Sequence, residues 1–190
     1  MRDHVSELVH YLNRAFDELV TAQLTDVSTL RLRLGTYLDA LSRFRDYRQG
    51  QLNDATQADR VWERLVQKGM ITDGQYVEGN LVARNNQHHS MTKMAPPTRA
   101  PLYPSERLMP SDYLYPGENL TWLRLDELDE PTRRAISAAD KYGYFRNLLA
   151  GFAVLPAADV ARRCLLDWKG FGRLSDARYV VDLRVAAYSP

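Results

Sequence analysis

Two adjacent histidines, His88 and His89, are the residues whose chemistry first suggests a metal site. A helix presents two imidazoles to one ion when they are three or four residues apart, and adjacent histidines lack that spacing. The other two histidines, His4 and His10, are distant in the sequence. We therefore predict two solvated loop histidines, no metal site and no cofactor.

Nucleophilic and acid–base chemistry find equally little support. Cys164 is the sole cysteine, so one chain forms neither a disulfide nor a thiolate metal site, and its apolar helical setting predicts a structural thiol. No glycine-rich phosphate loop or nucleophile elbow is present. An acidic cluster marks a helix start, where the macrodipole favours carboxylates; its members are Asp126, Glu127, Asp129 and Glu130. The sequence predicts that the protein is not an enzyme.

A six-residue repeat occupies positions 102–119, with the units LYPSER, LMPSDY and LYPGEN. Each unit begins with leucine, has proline third and an acidic residue fifth. Proline fixes φ and lacks a backbone N–H, so the repeat is excluded from helix interiors and central strands. It is expected to run extended or to form successive β-turns.

Equivalent side chains of the repeat return to one side of an extended chain, because six residues are three strand dipeptides or two polyproline turns. We predict that these side chains are partner-binding anchors in a groove of another subunit. Packing against the chain's own helices is one alternative, and a disordered segment is the other. The anchors form two rows, Leu102, Leu108 and Leu114 in one and Tyr103, Met109 and Tyr115 in the other.

A nucleic-acid interface is the second functional hypothesis. A helix ending near Lys68, followed by a hairpin, has the outline of a winged-helix module, whose helix reads duplex DNA while the hairpin contacts phosphates. Its candidate nucleic-acid-binding residues are Arg60, Arg64 and Lys68. Acidic neighbours at 59 and 63 leave this helix without the charge asymmetry of a DNA reader, so the hypothesis stays the alternative.

Composition indicates an ordinary globular chain. Of 190 residues, 45% are hydrophobic and 26% are charged, with a net charge of +1. No apolar run approaches a membrane span, and the amphipathic start does not have the pattern of a signal peptide. We expect a protein of the cytoplasm or of an assembled virus particle, with other protein subunits, including copies of itself, as partners and no identified small-molecule substrate.

Helical periodicity dominates the first third of the chain. It predicts helices over 3–24, over 28–48 with Gly50 as the stop, and over 54–68 with Gly69 as the stop. Short connections between them favour an antiparallel three-helix bundle.

The pattern changes after Gly69. A small β-hairpin turning at Asp73-Gly74 is predicted within 70–84, then an extended arm over 85–118. A short strand follows at 119–124, then a helix interrupted near Gly143 and another opening at Pro156. Weak alternation predicts a terminal strand, in which Val181, Leu183 and Val185 are further partner-binding candidates.

These elements predict a mainly α protein with minor β structure. It comprises an N-terminal three-helix bundle (1–69), the hairpin (70–84), a long extended Pro/Tyr-rich arm (85–118), and C-terminal helices with a terminal strand (119–190). The expected function is that of a non-catalytic structural subunit of a large complex, and the expected kind is a virion component such as a bacteriophage neck, tail or baseplate protein.

Overall fold

The structure is a computed structural model that describes residues 4–22, 25–53, 61–71, 73–86, 88–95 and 118–167. Seven helices and a two-stranded sheet make up these residues, which confirms the predicted mainly α class with minor β structure. The predicted terminal strand at 178–188, residues 54–60 of the predicted third helix and the repeat at 102–117 lie outside the described residues.

The first two helices form an antiparallel pair, α1 (His4–Thr21) and α2 (Val27–Asn53). The apolar stripe of α1 buries Leu12, Phe16 and Leu19 against α2, as its periodicity predicts. Asp26 begins α2 by accepting hydrogen bonds from Thr29, through the backbone N–H at 2.9 Å and the hydroxyl at 2.6 Å. The hydroxyl bond is the main cause that holds the pKa of Asp26 below its usual value.

Helix α2 is longer than its sequence indicates. Gly50 was expected to end it, but the helix continues to Asn53. Glycine costs only about 1 kcal/mol relative to alanine inside a helix, which an established 27-residue helix accommodates. By contrast, Gly69 does follow the end of α3 (Val61–Gln67), with a φ of +69° that favours glycine.

The predicted hairpin at 70–84 is wrong, because this segment contains helix α4 (Gly74–Asn85). The less buried positions 75, 78 and 82 recur with a helical period, whereas the hairpin interpretation rested on the three residues on either side of Asp73-Gly74. Gly74 serves close packing instead of a turn. A Cβ there would lie 2.6 Å from Cγ2 of Val66, so α3 and the first turn of α4 are in close contact.

The predicted arm begins later than expected. Residue 85 belongs to α4, and residues 88–95 form a short 3-10 helix (His88–Met91) and strand β1 (Thr92–Ala95). Strand β1 pairs antiparallel with β2 (Asn119–Trp122), the strand predicted at 119–124. Residues 88–95 are held by partners that are distant in the sequence. No local helical or alternating pattern therefore predicted their structure.

Three further helices lie in the described residues up to 167, α5 (Glu130–Ala139), α6 (Tyr144–Leu148) and α7 (Val154–Asp167). Asp129 caps α5 by accepting from the Thr132 N–H at 2.8 Å. The predicted interruption is confirmed at Gly143, whose φ is +74°. There the buried Asp140 side chain accepts from the N–H groups of Phe145 and Arg146 and so begins α6.

A single cluster of buried side chains runs from α1 to α7. Helix α4 lies against α2, α6 and α7, so it occupies a central position that the predicted hairpin would not have filled. Tyr37 of α2 is fully buried and donates to the Ala158 carbonyl of α7 at 2.6 Å. The N-terminal and C-terminal helices therefore share one hydrophobic core.

Candidate docking site

The two-stranded sheet holds the two ends of the repeat-bearing segment together. Ala95 and Asn119 are register partners, so residues 96–118 leave and re-enter the described structure at one place. We call the sheet β1–β2 the stem. A chain of this length that returns to its starting point reaches at most about 40 Å from it. The stem therefore determines where the leucine and tyrosine anchors can act.

Helix α2 holds the outer strand of the stem through Arg31. Its Nη2 donates to the Thr92 carbonyl at 2.5 Å, and its Nε donates to the Thr92 hydroxyl at 3.3 Å. Thr92 is buried, so these bonds satisfy polar atoms that water would not reach. A forked guanidinium is suited to such a two-point contact.

The inner strand of the stem is held by the segment that leads into α7. The Trp122 N–H donates to the Phe152 carbonyl at 2.9 Å, and the Trp122 carbonyl accepts from the Gly151 N–H at 2.9 Å. All four residues of β2 are buried. Within the stem, the Thr121 hydroxyl donates to the Ala95 carbonyl at 3.0 Å. The base of the segment is thus a fixed part of the core.

An ion pair fixes the charged side of the stem. Lys93 of β1 contacts Glu127, whose other carboxylate oxygen accepts from the Arg124 N–H at 2.8 Å. The hydrogen bond from Lys93 is the main cause that lowers the pKa of Glu127. Both side chains are partly exposed, so we assign this pair an orienting role more than a large stabilisation.

His88 lies directly before the stem and packs over a notch in α2. A Cβ on Gly35 would lie 2.8 Å from Nε2 of His88, so the imidazole fills the space that the glycine leaves. That nitrogen is buried and has no hydrogen-bond partner among the described residues. Burial, reinforced by neighbouring His89, lowers the pKa of His88 to about 4. His88 is therefore a neutral packing residue, which corrects the prediction of two solvated histidines.

The structure describes none of the predicted partner-binding residues; it describes the two strands between which the six residues of the repeat lie in the sequence. All nine lie outside the described residues, and their contacts stay predictions. They are Leu102, Tyr103, Leu108, Met109, Leu114 and Tyr115 in the repeat, and Val181, Leu183 and Val185 in the C-terminal segment.

The winged-helix outline is not present in the described part of the chain. Helix α3 does precede a second element, but that element is helix α4 and not a hairpin wing. Arg64 and Lys68 are exposed on and after α3, whereas Arg60 lies outside the described residues. Nucleic-acid binding through these three residues stays a prediction without the motif that suggested it.

Sequence reasoning missed the residues that build the stem. Arg31 is one of several arginines in the sequence of α2, and nothing local distinguishes it as the partner of Thr92. Gly35, a glycine in the interior of a strongly periodic helix, was the available signal, because such a glycine often marks a close approach. His88 occupies that approach.

Other kinds of site find no support in the described residues. Within them, no group of three or more histidine, cysteine or acidic side chains could hold a metal ion. None of the described helices is long and apolar enough to cross a membrane. Cys164 is half-buried on α7.

Comparison with known proteins adds no identification: no family model, curated protein or solved structure matches this chain.

Proposed function

We propose that this protein is a non-catalytic assembly subunit that docks on neighbouring subunits through residues 96–118. The observation that carries the proposal is the Ala95–Asn119 register pair, which holds the two ends of the segment 96–118 together at the stem, whose strand β2 is buried. The prolines of the repeat exclude it from helix interiors and central strands, and irregular segments of this length are uncommon inside compact domains and are usually functional or linkers. A linker would join two bodies, whereas this segment returns to the body it left.

The composition of the segment favours a role in docking over a loop that binds nothing. Its leucine and tyrosine rows place apolar anchors at regular intervals, and tyrosine is enriched at the energetic centres of protein interfaces. Its prolines restrict the unbound chain and so reduce the entropy lost on binding. A rigid base with a variable, anchor-bearing segment is how many binding proteins present their contacts.

A virus particle is the kind of assembly we propose, with a bacteriophage neck, tail or baseplate protein as the nearest example. The support for this finer proposal is the combination of a helical body with two candidate docking segments, the repeat and the C-terminal residues Val181, Leu183 and Val185. Such a protein would join more than one neighbour, because the two segments leave the body at different elements, β1 and α7.

Photo-crosslinking in the native host tests the docking role. A photoreactive phenylalanine analogue replaces Tyr103 or Tyr115 in the full chain, and in the control it replaces Leu32, which is exposed on the helical body. We expect one discrete adduct from each repeat position and none of the same mass from the control. Absence of adducts from both repeat positions would overturn the proposal.

Light scattering with limited trypsin digestion separates docking on a partner from packing on the chain itself. Trypsin cleaves after Arg99 and Arg107 inside the segment. Rapid cleavage of a monomer fits a segment that awaits another protein, and protection in an oligomer fits docking between copies. Protection of both sites in a monomer would contradict the proposal, because the segment would then belong to the chain's own core.

A further inference from the structure

The outward side of α1 borders a groove of about 490 Å³ that neither the stem nor the repeat uses. Its walls are α1 between His10 and Thr21, and Thr29 and Arg33 near the start of α2. We call it the α1 groove. Within the described part of the chain, α2 and α7 pack against the other sides of α1. The groove is therefore a helix face that is open to a further segment.

One carboxylate of the α1 groove is available to a basic group. Glu18 already binds two arginines, Arg14 at 2.9 Å and Arg33 at 2.8 Å. The exposed Asp17 carboxylate, by contrast, has no hydrogen-bond or ion-pair partner among the described residues. Helix α1 as a whole has three acidic side chains and one arginine. The groove thus lies beside an excess of negative charge, part of which is not neutralised.

Helix α7 ends close to the α1 groove. Arg162 of α7 donates from Nη1 to Oδ1 of Asn13, a groove residue, at 2.7 Å, and its guanidinium carbon lies 4.5 Å from the centre of the Phe16 ring. The buried Asp159 accepts from the same guanidinium at 2.7 Å and so holds it in place. The helix ends at Asp167, only about 7.5 Å further along its axis. The chain beyond α7 therefore starts beside this groove.

Apolar side chains at the junction of α1 and α7 are incompletely covered. Val9 lies one turn before Asn13 and Val20 one turn after Phe16, so both are on the flank of α1 that faces α7. Both are only partly buried, as is Leu166 near the end of α7. A further segment that packed along this junction would remove their remaining apolar surface from water.

Residues 168–190 have the composition that this region would accept. They carry four basic and two acidic side chains, the opposite balance to that of α1. The apolar members of residues 179–185 that occupy alternate positions lie on one side of an extended chain. The α1 part of the groove, residues 10–21, spans about 17 Å, a length that five or six extended residues cover. The segment therefore matches the groove in charge, polarity and length.

We propose that the C-terminal segment of this chain, residues 168–190, docks in the chain's own α1 groove. The apolar side of residues 179–185 covers the α1–α7 junction, and the basic side chains lie towards Asp17. Attachment at the end of α7 favours the chain's own segment over that of a second copy. A segment tethered beside its site meets it at an effective concentration on the order of millimolar, which exceeds that of a second chain in dilute solution.

This inference does not rest on docking by residues 96–118. Absence of adducts from Tyr103 and Tyr115 would leave it unchanged, because its own test places the photoreactive group elsewhere. It adds a step to the proposed role of the C-terminal residues in an assembly. A neighbour that binds Val181, Leu183 and Val185 must first displace them from the groove.

Isotope-coded photo-crosslinking of the full chain tests the proposal. The photoreactive phenylalanine analogue replaces Tyr179, and equal amounts of this variant in natural and heavy-nitrogen forms are mixed before irradiation. We expect adducts between position 179 and peptides that contain residues 10–21, with both joined peptides of the same isotope. Adducts to other elements only, or no adduct, would overturn the proposal. Adducts that join the two isotopes would show that a second copy supplies the segment, and the commitment to the chain's own segment would be wrong.

Two adjacent valines provide a matched pair of variants within the segment. Val181→Asp should lower the yield of the groove adduct about fivefold or more, because it places a charge on the apolar side that covers the junction. Val180→Asp makes the same chemical change on the other side of an extended chain and should retain most of the yield. Equal yields from the two variants would contradict docking through one apolar side.

The groove itself is tested by reversing the charge of its unpaired carboxylate. Asp17→Lys should lower the adduct yield about twofold or more at about 50 mM salt, where screening of surface charges is weak. The matched control is Glu130→Lys, which makes the same change in net charge on α5. Both positions are exposed, so both variants are expected to fold. Equal loss with both lysine variants, or a yield unchanged by both Asp17→Lys and Val181→Asp, would overturn the proposal.

Discussion

His88 packs against α2 directly before the stem, and its buried Nε2 has no hydrogen-bond partner among the described residues. The imidazole occupies the notch above Gly35, and the groups that act on it include His89, Arg31 and Asp39. Protonation would place a charge between α2 and the stem. Burial and His89 oppose it, and together they outweigh the Arg31 backbone carbonyl and the Asp39 charge, which favour it. The packing of this side chain against α2 therefore requires the neutral imidazole.

The pH dependence of stability should reveal this requirement. The pKa of His88 is about 4 in the folded protein and about 6.5 in the unfolded chain. The unfolded chain therefore binds more protons between these values, so the stability that neutral His88 supplies is complete above about pH 6.5 and is lost as the pH falls towards 4. Chemical denaturation between pH 4 and pH 7 measures this loss.

His88→Leu should flatten that part of the pH profile, because it removes the titrating group while keeping an apolar filling for the notch. The matched control is His89→Gln, which changes the exposed neighbour and should retain most of the slope. A His88→Leu profile as steep as that of the wild-type chain would show that another group causes the loss.

Tyr37 provides the clearest single bond between the two halves of the chain. Its hydroxyl is buried and donates to the Ala158 carbonyl at 2.6 Å, and burial raises its pKa well above the usual value. Tyr37→Phe removes this bond and leaves the ring in place. We expect a loss of about 1–2 kcal/mol in the free energy of unfolding, measured by urea denaturation. An unchanged free energy would show that the bond contributes nothing net.

At the scale of elements, the contact of Arg31 with Thr92 decides whether β1 is held as a strand. Arg31→Met keeps the aliphatic stem of the side chain and removes both donors to Thr92. Since Thr92 is buried, we expect a loss of about 1–3 kcal/mol and faster hydrogen exchange of the amides in β1 and β2. Mass-spectrometric hydrogen exchange resolves these two strands.

Arg33→Met is the control for that experiment. Arg33 lies on the same helix and pairs with Glu18 at the surface, 2.8 Å away. Surface pairs contribute about 0–1 kcal/mol, and this one does not contact the stem. Exchange in β1 and β2 should therefore stay as in the wild-type chain. Equal acceleration by both substitutions would contradict a specific role for Arg31.

The contrast between α1 and β1 shows what local sequence could predict. The buried residues Leu12, Phe16 and Leu19 have a helical period in the sequence itself, and α1 is where that pattern places it. Strand β1 is the four residues TKMA, too short to alternate, and it is a strand because Arg31 and β2 hold it. The partners of β1 are distant in sequence, so no local pattern predicted it.

Helix α4 failed prediction for a different reason. Asp73-Gly74 is a strong hairpin signal when strands flank it, yet here the glycine is needed because Val66 leaves no room for a Cβ. The signal correctly predicted that the chain turns here, but the residues that follow form a helix instead of a strand. Of the candidate site, the sequence predicted β2, and the anchors stay predictions, whereas the stem's attachment to α2 and α7 became visible only in the structure.

For the molecule as a whole, the stem predicts that the rest of the chain folds without residues 96–118. The N–H and carbonyl of Trp122 bond to the segment before α7, on the side of β2 away from β1. Because successive residues of a strand direct their backbone groups to opposite sides, those of Asn119 face Ala95. Such a pair can be closed by two residues in a type I′ turn. The chain could therefore fold with residues 96–118 replaced by Asn-Gly, if those residues serve a partner.

This replacement distinguishes an outward docking segment from one that belongs to the core. Shortening a closed loop reduces the entropy lost on closure by about 2 kcal/mol on the simplest scaling, so the shortened chain should unfold at the same or a higher urea concentration. Its hydrogen exchange in α2, α4 and α7 should match that of the parent. A length-matched glycine–serine segment is the control for composition, because it keeps the loop and removes the anchors. Marked destabilisation by both replacements would mean that the leucine and tyrosine rows pack on the chain's own helices. A stable shortened chain that no longer enters its assembly would assign those rows to a neighbour.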